Sequence, residues 1–192
     1  LNYFQNNQFD LALKTATDLS EKFPKHPFAW KVLGAVFNQT GKLDKALFAC
    51  QKAAMLEQRK AEAHNNLGNT LLKLNRLEEA EESCRKAIAL EPENELAHNN
   101  LGQILFRLQK HEEAASAFRK AISIKQDYVQ AYFNLGNTLK IMGKLEEAVS
   151  IFTQASLIDP KNPELYVLQG ITPFLLDQKP LINRDNFMES IN

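Results

Sequence analysis

The sequence predicts an all-α fold, a solenoid of stacked antiparallel helix pairs, because two ladders of small residues share one spacing. Glycine recurs at a constant interval on one ladder, and alanine recurs at the same interval on the other. The glycines are Gly34, Gly68, Gly102, Gly136 and Gly170, and the alanines are Ala12, Ala46, Ala80, Ala114 and Ala148. A fixed period along a chain indicates repeated units that bury their apolar faces against their neighbours. We therefore expect the function to lie on a long repeated surface.

The first helix of each repeat is predicted from large apolar residues that flank the ladder glycine at helical spacing. In one repeat these residues are Trp30, Leu33 and Phe37 around Gly34, and the next repeats keep this frame. A glycine inside a helix costs about 1 kcal/mol relative to alanine, so a glycine in every repeat needs a packing reason. We expect each ladder glycine to allow a close approach between the two helices of its pair.

The second helix of each repeat is predicted from small residues, a first-turn acid and a following proline. In the same repeat Ala46 precedes Cys50 and Ala53, and these small side chains alternate with the large ones of the first helix. A carboxylate just before each ladder alanine complements the helix dipole. These acids are Asp10, Asp44, Glu78, Glu112 and Glu146. Prolines follow three of the second helices, as is usual after helix ends, and they are Pro24, Pro92 and Pro160.

The turn between the paired helices is predicted at a position that carries residues tolerant of a left-handed backbone. Its occupants along the chain are Asn7, Gly41, Asn75, Gln109 and Gly143. A residue with positive φ closes many helices at their carboxyl ends, and glycine or asparagine adopts that conformation most readily. The boundaries between paired helices should therefore fall at these positions.

The spacing of these residues resembles that of the tetratricopeptide repeat. The frame is clear at His64, Leu67, Gly68, Leu71 and Ala80, and it extends over nearly the whole chain. The period and the large-to-small pattern are those of this family. The resemblance implies a right-handed superhelix in which the first helix of each pair lines a concave groove.

The repeat frame divides the chain into a repeat domain, residues 1–178, and a C-terminal tail, residues 179–192. The domain holds a partial repeat over 1–26, full repeats over 27–60, 61–94, 95–128 and 129–162, and a capping helix over 163–178. Pro173 should end or kink the capping helix. Because the chain starts inside a repeat and without methionine, we expect the native N-terminus to lie upstream. Apolar residues at that end, Leu1, Tyr3 and Phe4, would favour weak self-association.

The composition argues against two classes of partner. The chain has 23 basic and 23 acidic residues, so it lacks the net positive charge that nucleic-acid binding by a whole domain requires. It contains no apolar run long enough to cross a membrane and no leader pattern. Cys50 and Cys84 lie about 10 Å apart in successive repeats, too far for a disulfide. We predict free core thiols, a cytoplasmic location, and no nucleic-acid or membrane partner.

No catalytic motif is present, and we predict neither a catalytic residue nor a cofactor. His64 and His98 are the most tempting metal ligands, but they stand where other repeats carry Trp30 and Tyr132. We interpret all four as half-buried ring positions and predict no metal site.

The strongest candidate for function is a column of side-chain amides in the first helices. Asparagine is a mediocre helix former, so its repeated use in mid-helix calls for an explanation. By resemblance to the asparagine-lined superhelix of O-linked N-acetylglucosamine transferases, these amides would hydrogen-bond the backbone of an extended peptide. The predicted peptide-binding residues are Asn65, Asn66, Asn69, Asn99, Asn100, Gln103, Asn134 and Asn137. Lys73, Arg107 and Lys140 add a positive bias for a mildly acidic ligand.

Several alternatives remain open at this point. The chain is either a non-catalytic module that binds a protein or peptide, or the substrate-recruiting arm of a larger glycosyltransferase, sulfotransferase or oxygenase, or a structural protein that self-associates. The amides themselves could tie neighbouring repeats together, and Val32 and Ala35 interrupt their column. A clamp for a terminal carboxylate is not predicted. By resemblance to chaperone-binding members of the tetratricopeptide repeat family, such a clamp would need a Lys-Asn-Asn-Lys-Arg set. Only Lys31 and Asn66 fit this set, since Ala35, Leu96 and Asn100 occupy its other positions.

Overall fold

The computed structural model describes residues 9–162, and every regular element in that range is an α-helix. In chain order the helices are α1 Phe9–Lys22, α2 Pro27–Gln39, α3 Leu43–Leu56, α4 Ala61–Lys73, α5 Leu77–Leu90, α6 Glu95–Arg107, α7 His111–Ile124, α8 Val129–Ile141 and α9 Leu145–Ile158. None of these helices is long and apolar enough to cross a membrane. The predicted all-α solenoid of helix pairs is confirmed. The predictions for Leu1, Tyr3, Phe4, Asn7, the capping helix 163–178 with Gly170 and Pro173, and the tail 179–192 lie outside the described residues.

The chain separates into two compact units, Leu1–Leu108 and Gln109–Asn192. The described part of the first unit holds α1 to α6, and each of these helices packs against the next along the chain. The first helices of neighbouring repeats also meet there, α2 with α4 and α4 with α6. The second unit holds α7 to α9, in which α8 packs against both of its neighbours.

Three ladder glycines, Gly34, Gly68 and Gly136, lie where the two helices of a pair approach each other closely. A Cβ atom added at Gly68 would stand 2.5 Å from the Sγ atom of Cys84 and 3.3 Å from the carbonyl oxygen of Ala80. In the second unit, a Cβ atom added at Gly136 would meet the ring of Phe152. A larger residue at either glycine would push its helix away from the partner helix. The close approach that the ladder predicts is therefore confirmed at Gly34, Gly68 and Gly136.

The predicted turn positions adopt the left-handed backbone. The φ angle is 71° at Gly41, 59° at Asn75, 62° at Gln109 and 74° at Gly143. After α4, the N–H group of Arg76 donates to the carbonyl oxygen of Leu71 over 2.9 Å, and that of Asn75 donates to Leu72 over 3.0 Å. These bonds satisfy carbonyl groups that the end of a helix would otherwise leave without partners.

The second helices contribute small, buried residues to the core. The ladder alanines Ala46, Ala80, Ala114 and Ala148 are fully buried, and the predicted acids each fall in the first turn of a second helix. Cys50 and Cys84 are buried and free, as predicted. Burial raises the pKa of the Cys84 thiol to about 12.

Candidate peptide-binding surface

The predicted amides lie on the first helices of the repeats, and their exposure separates them into two groups. On α4 and α6 the side chains of Asn65 and Asn99 are buried, with 5% and 2% of their surface exposed. The half-buried members in the same two helices are Asn66, Asn69, Asn100 and Gln103. Only the half-buried group is open to a ligand.

One half-buried amide joins two neighbouring repeats. The Nδ2 atom of Asn100 donates to the Oδ1 atom of Asn65 over 2.9 Å. Because Asn65 is buried, this bond satisfies an acceptor that water does not reach. Asn100 therefore contributes to the packing of one repeat on the next.

The other half-buried amides that the sequence predicts on α4 and α6 have no such partner. Within residues 9–162 the side chains of Asn66, Asn69 and Gln103 make no hydrogen bond. Asn66 and Asn69 lie one turn apart on α4, so they are neighbours on the same face of that helix. Gln103 occupies the position on α6 that Asn69 occupies on α4. We call these three side chains the amide face.

The second unit carries two of the predicted amides on α8. The Oδ1 atom of Asn134 accepts a hydrogen bond from the Nε2 atom of Gln130, one turn earlier, over 3.2 Å. Asn137 is half-buried, and its side chain makes no hydrogen bond within the described range. Lys140 is half-buried near the end of the same helix.

The predicted basic residues of the first unit are bonded to helix ends. The Nζ atom of Lys73 lies 3.4 Å from the carbonyl oxygen of Asn38, and the Nη1 atom of Arg107 lies 3.1 Å from that of Leu72. Both carbonyl groups belong to the last turn of the first helix of the preceding repeat, where cations are favourable. Lys73 and Arg107 therefore also join neighbouring repeats.

Two carboxylates pair with Lys31, the cation that a carboxylate clamp would need. Its Nζ atom lies 2.9 Å from the Oε2 atom of Glu62 and 3.4 Å from that of Glu57. The hydrogen bond with Glu62 raises the pKa of Lys31; desolvation opposes this effect, and the charges of both carboxylates add to it. A cation that is already paired in this way does not suit the binding of a terminal carboxylate.

A pocket that the sequence analysis did not predict opens beside Asn66. It has a volume of about 380 Å³ and lies among α1, α2 and α4. Phe28, Val32 and Ala35 of α2 supply much of its apolar wall, and Asn66 stands at its edge. Val32 and Ala35 are the two residues that interrupt the amide column, so the interruption creates apolar space. The signal in the sequence was the helical spacing of these three apolar residues on α2. We call this space the α2 pocket.

The rings at the histidine and tryptophan positions have backbone partners. In each case a ring nitrogen donates a hydrogen bond to a backbone carbonyl oxygen. Trp30 donates to Pro24 over 2.9 Å, His64 to Gln58 over 3.0 Å, and His98 to Pro92 over 2.9 Å. In each case the acceptor lies six residues earlier, before the start of the first helix. These contacts account for His64 and His98 as structural residues. Within residues 9–162, no group of three or more histidine, cysteine or acidic side chains is placed to hold a metal ion.

Solved structures with the same arrangement of helices come from several proteins. The chain is 26% identical to MamA, with a TM-score of 0.73 over 83% of this chain and 94% of MamA. It is 23% identical to YrrB, described as a TPR protein with an unusual peptide-binding site, with a TM-score of 0.66 over 84% of each chain. It is 21% identical to PilF of Pseudomonas aeruginosa, with a TM-score of 0.81 over 94% of this chain and 82% of PilF.

Comparison with protein families and with curated sequences gives two further findings. No curated protein sequence matches the chain significantly. One family model of the tetratricopeptide repeat matches residues 1–62, 51–95 and 65–129, and a second model of the same repeat matches residues 105–170. The chain thus belongs to the tetratricopeptide repeat family, whose fold serves as a protein–protein interaction module.

Proposed function

We propose that this protein is a non-catalytic interaction module that binds an extended stretch of a partner protein along the amide face. The observation that carries this proposal is the half-burial of Asn66, Asn69 and Gln103, whose side-chain donors and acceptors have no partner within residues 9–162. Partly desolvated polar groups lower the free energy of binding when a ligand supplies the hydrogen bonds that the protein does not.

The chemistry of a primary amide suits a peptide backbone. Each amide offers two N–H donors and a carbonyl acceptor, so it can bind backbone groups whatever the neighbouring side chains are. Asn66 and Asn69 are one helical turn apart, which places their Cβ atoms about 5 to 6 Å from each other. An extended chain repeats its backbone groups on one side about every 6.8 Å. The two spacings are close enough for neighbouring amides to bind successive groups of one strand.

The α2 pocket would give this binding some side-chain preference. Its volume of about 380 Å³ lies within the range of ligand-binding pockets, and apolar walls with a few polar groups are typical of such sites. Because Asn66 borders both the pocket and the amide face, a peptide that bonds to Asn66 would present a neighbouring side chain to Phe28 and Val32. We expect an apolar residue to be preferred there. The peptide-binding site of the structurally similar YrrB supports a peptide ligand. In the second unit, taken by itself, Asn134 and Asn137 are proposed as peptide-binding amides of α8.

The test uses peptides selected on the purified protein from a random display library, with affinities measured by isothermal titration. The Asn66→Ala/Asn69→Ala variant removes two neutral hydrogen bonds of about 0.5 to 1.5 kcal/mol each, so the affinity should fall about 5- to 150-fold. Alanine is the better helix former, so the melting temperature should stay unchanged or rise. The control Gln154→Ala removes an exposed amide from α9 and should change neither quantity.

A second variant separates ligand binding from cohesion between repeats. Asn65→Ala removes the buried acceptor of the Asn100 amide, and it should lower the free energy of unfolding by about 1 to 3 kcal/mol. Asn100 is left out of the binding test for the same reason. If the Asn66→Ala/Asn69→Ala variant melts at a lower temperature and still binds the selected peptides with unchanged affinity, these amides serve cohesion and the proposal is refuted.

A further inference from the structure

A cleft lined by aromatic rings opens between α2 and α3 of the first unit, on residues that the amide face does not include. Trp30 and Phe37 of α2 and Phe48 of α3 line it, and its volume is about 350 Å³. The rings of Trp30 and Phe48 meet edge to face, with centroids 5.8 Å apart and planes inclined by 78°. Phe48 nevertheless keeps 54% of its surface exposed. We call this space the aromatic cleft, and it has the apolar lining and open mouth that a protruding side chain requires.

Two lysines flank the aromatic cleft. The Nζ atom of Lys45 lies 5.9 Å from the centre of the Phe37 ring, and that of Lys52 lies 5.5 Å from the centre of the Phe48 ring. Neither ammonium group has a carboxylate partner within the part of the chain that the structure describes. The acidic residue at the cleft is Asp44, which lies in the first turn of α3. The cleft therefore combines exposed aromatic surface with a net positive charge, because two lysines flank it and one aspartate lines it.

The next repeat carries acidic residues at two of these positions and keeps a lysine at a third. The cleft among α3, α4 and α5 is lined by Glu79, Glu82 and Lys86, among other residues, and Lys86 lies one repeat period after Lys52. Glu79 lies one repeat period after Lys45, and Glu82 lies one repeat period after Phe48. Since the repeat fold accepts glutamate at both places, it does not require the ring of Phe48 or the positive charge of Lys45. The aromatic cleft is a property of one repeat, which points to a role outside the packing of helices.

We propose that the aromatic cleft is a second interaction site, which binds an acidic segment of a partner protein that inserts one aromatic side chain. An aromatic side chain fits because edge-to-face ring contacts favour a third ring beside Trp30 and Phe48. Acidic flanking residues fit because Lys45 and Lys52 would then gain ion pairs at the rim of the site. This site is independent of the peptide binding proposed for the amide face.

The fluorescence of Trp30 gives a direct measurement, because it is the only tryptophan of the chain. The probe is a synthetic peptide with one phenylalanine between short runs of glutamate, titrated into the whole protein. We expect a saturable change in emission that weakens as salt is added, because salt screens exposed ion pairs. A peptide with alanine in place of the phenylalanine should bind at least about tenfold more weakly, since it no longer buries a ring. Equal binding of the two peptides would mean charge attraction alone and would overturn the proposal.

Variants that copy the next repeat locate the site. Phe48→Glu and Lys45→Glu replace exposed side chains, so melting temperatures should change little, and each variant should weaken binding of the phenylalanine peptide at least about tenfold. The control Lys86→Glu changes the net charge as much as Lys45→Glu does, but on an exposed lysine of α5, and it should leave the affinity unchanged. Wild-type affinity in folded Phe48→Glu would overturn the proposal.

Two further measurements distinguish binding of a partner protein in the aromatic cleft from binding at the amide face and from self-association. The Asn66→Ala/Asn69→Ala variant should bind the phenylalanine peptide with wild-type affinity, because both amides lie outside the aromatic cleft. Loss of that binding would assign the peptide to the amide face instead. Sedimentation that shows a dimer of the wild-type protein, lost in Phe48→Glu, would replace the partner protein with a second copy of this chain and overturn the proposal as stated.

Discussion

Replacement of Gly68 by alanine tests whether the glycine ladder marks a close helix contact. The added Cβ atom would stand 2.5 Å from the Sγ atom of Cys84 and 3.3 Å from the carbonyl oxygen of Ala80. Overpacking of this kind costs about 1 to 3 kcal/mol, and the higher helix propensity of alanine returns about 1 kcal/mol. Because one of the contacts is with the backbone, we expect a net loss of about 1 to 2 kcal/mol. Thermal unfolding followed by circular dichroism should then shift downward by about 2 to 8 °C.

Cys84→Ala provides the matching rescue, because it removes the Sγ atom that the new methyl group meets. The single variant Cys84→Ala should lose about 1 kcal/mol through the space it leaves. The double variant should be more stable than the sum of the two losses predicts, by about 1 kcal/mol. Gly41→Ala is the control, since nothing lies within 4 Å of the added Cβ atom and its cost comes from a φ of 71°. If Gly68→Ala melts at or above the wild-type temperature, or if Cys84→Ala rescues Gly41→Ala equally well, the contact at Gly68 does not explain the ladder.

Further changes probe the alanine ladder, the turns and the thiols. Ala80→Leu overfills a fully buried position and should lower the free energy of unfolding by about 1 to 3 kcal/mol, as measured by circular dichroism melts. Glu78→Leu at an exposed site should change it by less than about 0.5 kcal/mol. Equal losses would show that the register is wrong. Gln109→Gly relieves a φ of 62° and should gain about 0.5 to 1 kcal/mol in urea unfolding, and a loss would contradict left-handed strain there. Burial raises the pKa of Cys84 to about 12 and also raises that of Cys50. An aromatic disulfide reagent reacts with the thiolate, so it should label the protein quickly only after unfolding. Rapid labelling of the native protein would refute this burial.

The sequence predicts the fold well because every element repeats a local rule. A glycine or amide at the turn position predicts the positive φ that the structure has at Gly41 and Asn75, since few other residues adopt it at low cost. The first-turn acids and the alanine ladder likewise depend on contacts within one helix pair. Evidence of this kind recurs in each repeat, so errors in one repeat are corrected by the others.

The candidate site is less predictable because it depends on contacts between repeats. The sequence aligns equivalent residues that are one repeat period apart. The bonds from Asn100 to Asn65 and from Arg107 to Leu72 instead join residues that are one position further apart than that period. This offset of one residue between neighbouring first helices determines which amides form a hydrogen bond and which remain open to a ligand. The repeat period alone does not predict this offset. The α2 pocket was missed for a related reason, since three helices must come together to enclose it.

The bond between each ring and the loop before it has a consequence for how the repeats can diverge. The backbone carbonyl group six residues earlier needs only one N–H donor at a fixed position to form this hydrogen bond. The indole of Trp30 always supplies it. The imidazole of His64 supplies it from Nε2. Two rings that differ in size and optical properties therefore hold equivalent loops in successive repeats. The ring position lets each repeat acquire its own surface chemistry while the path of the backbone stays constant.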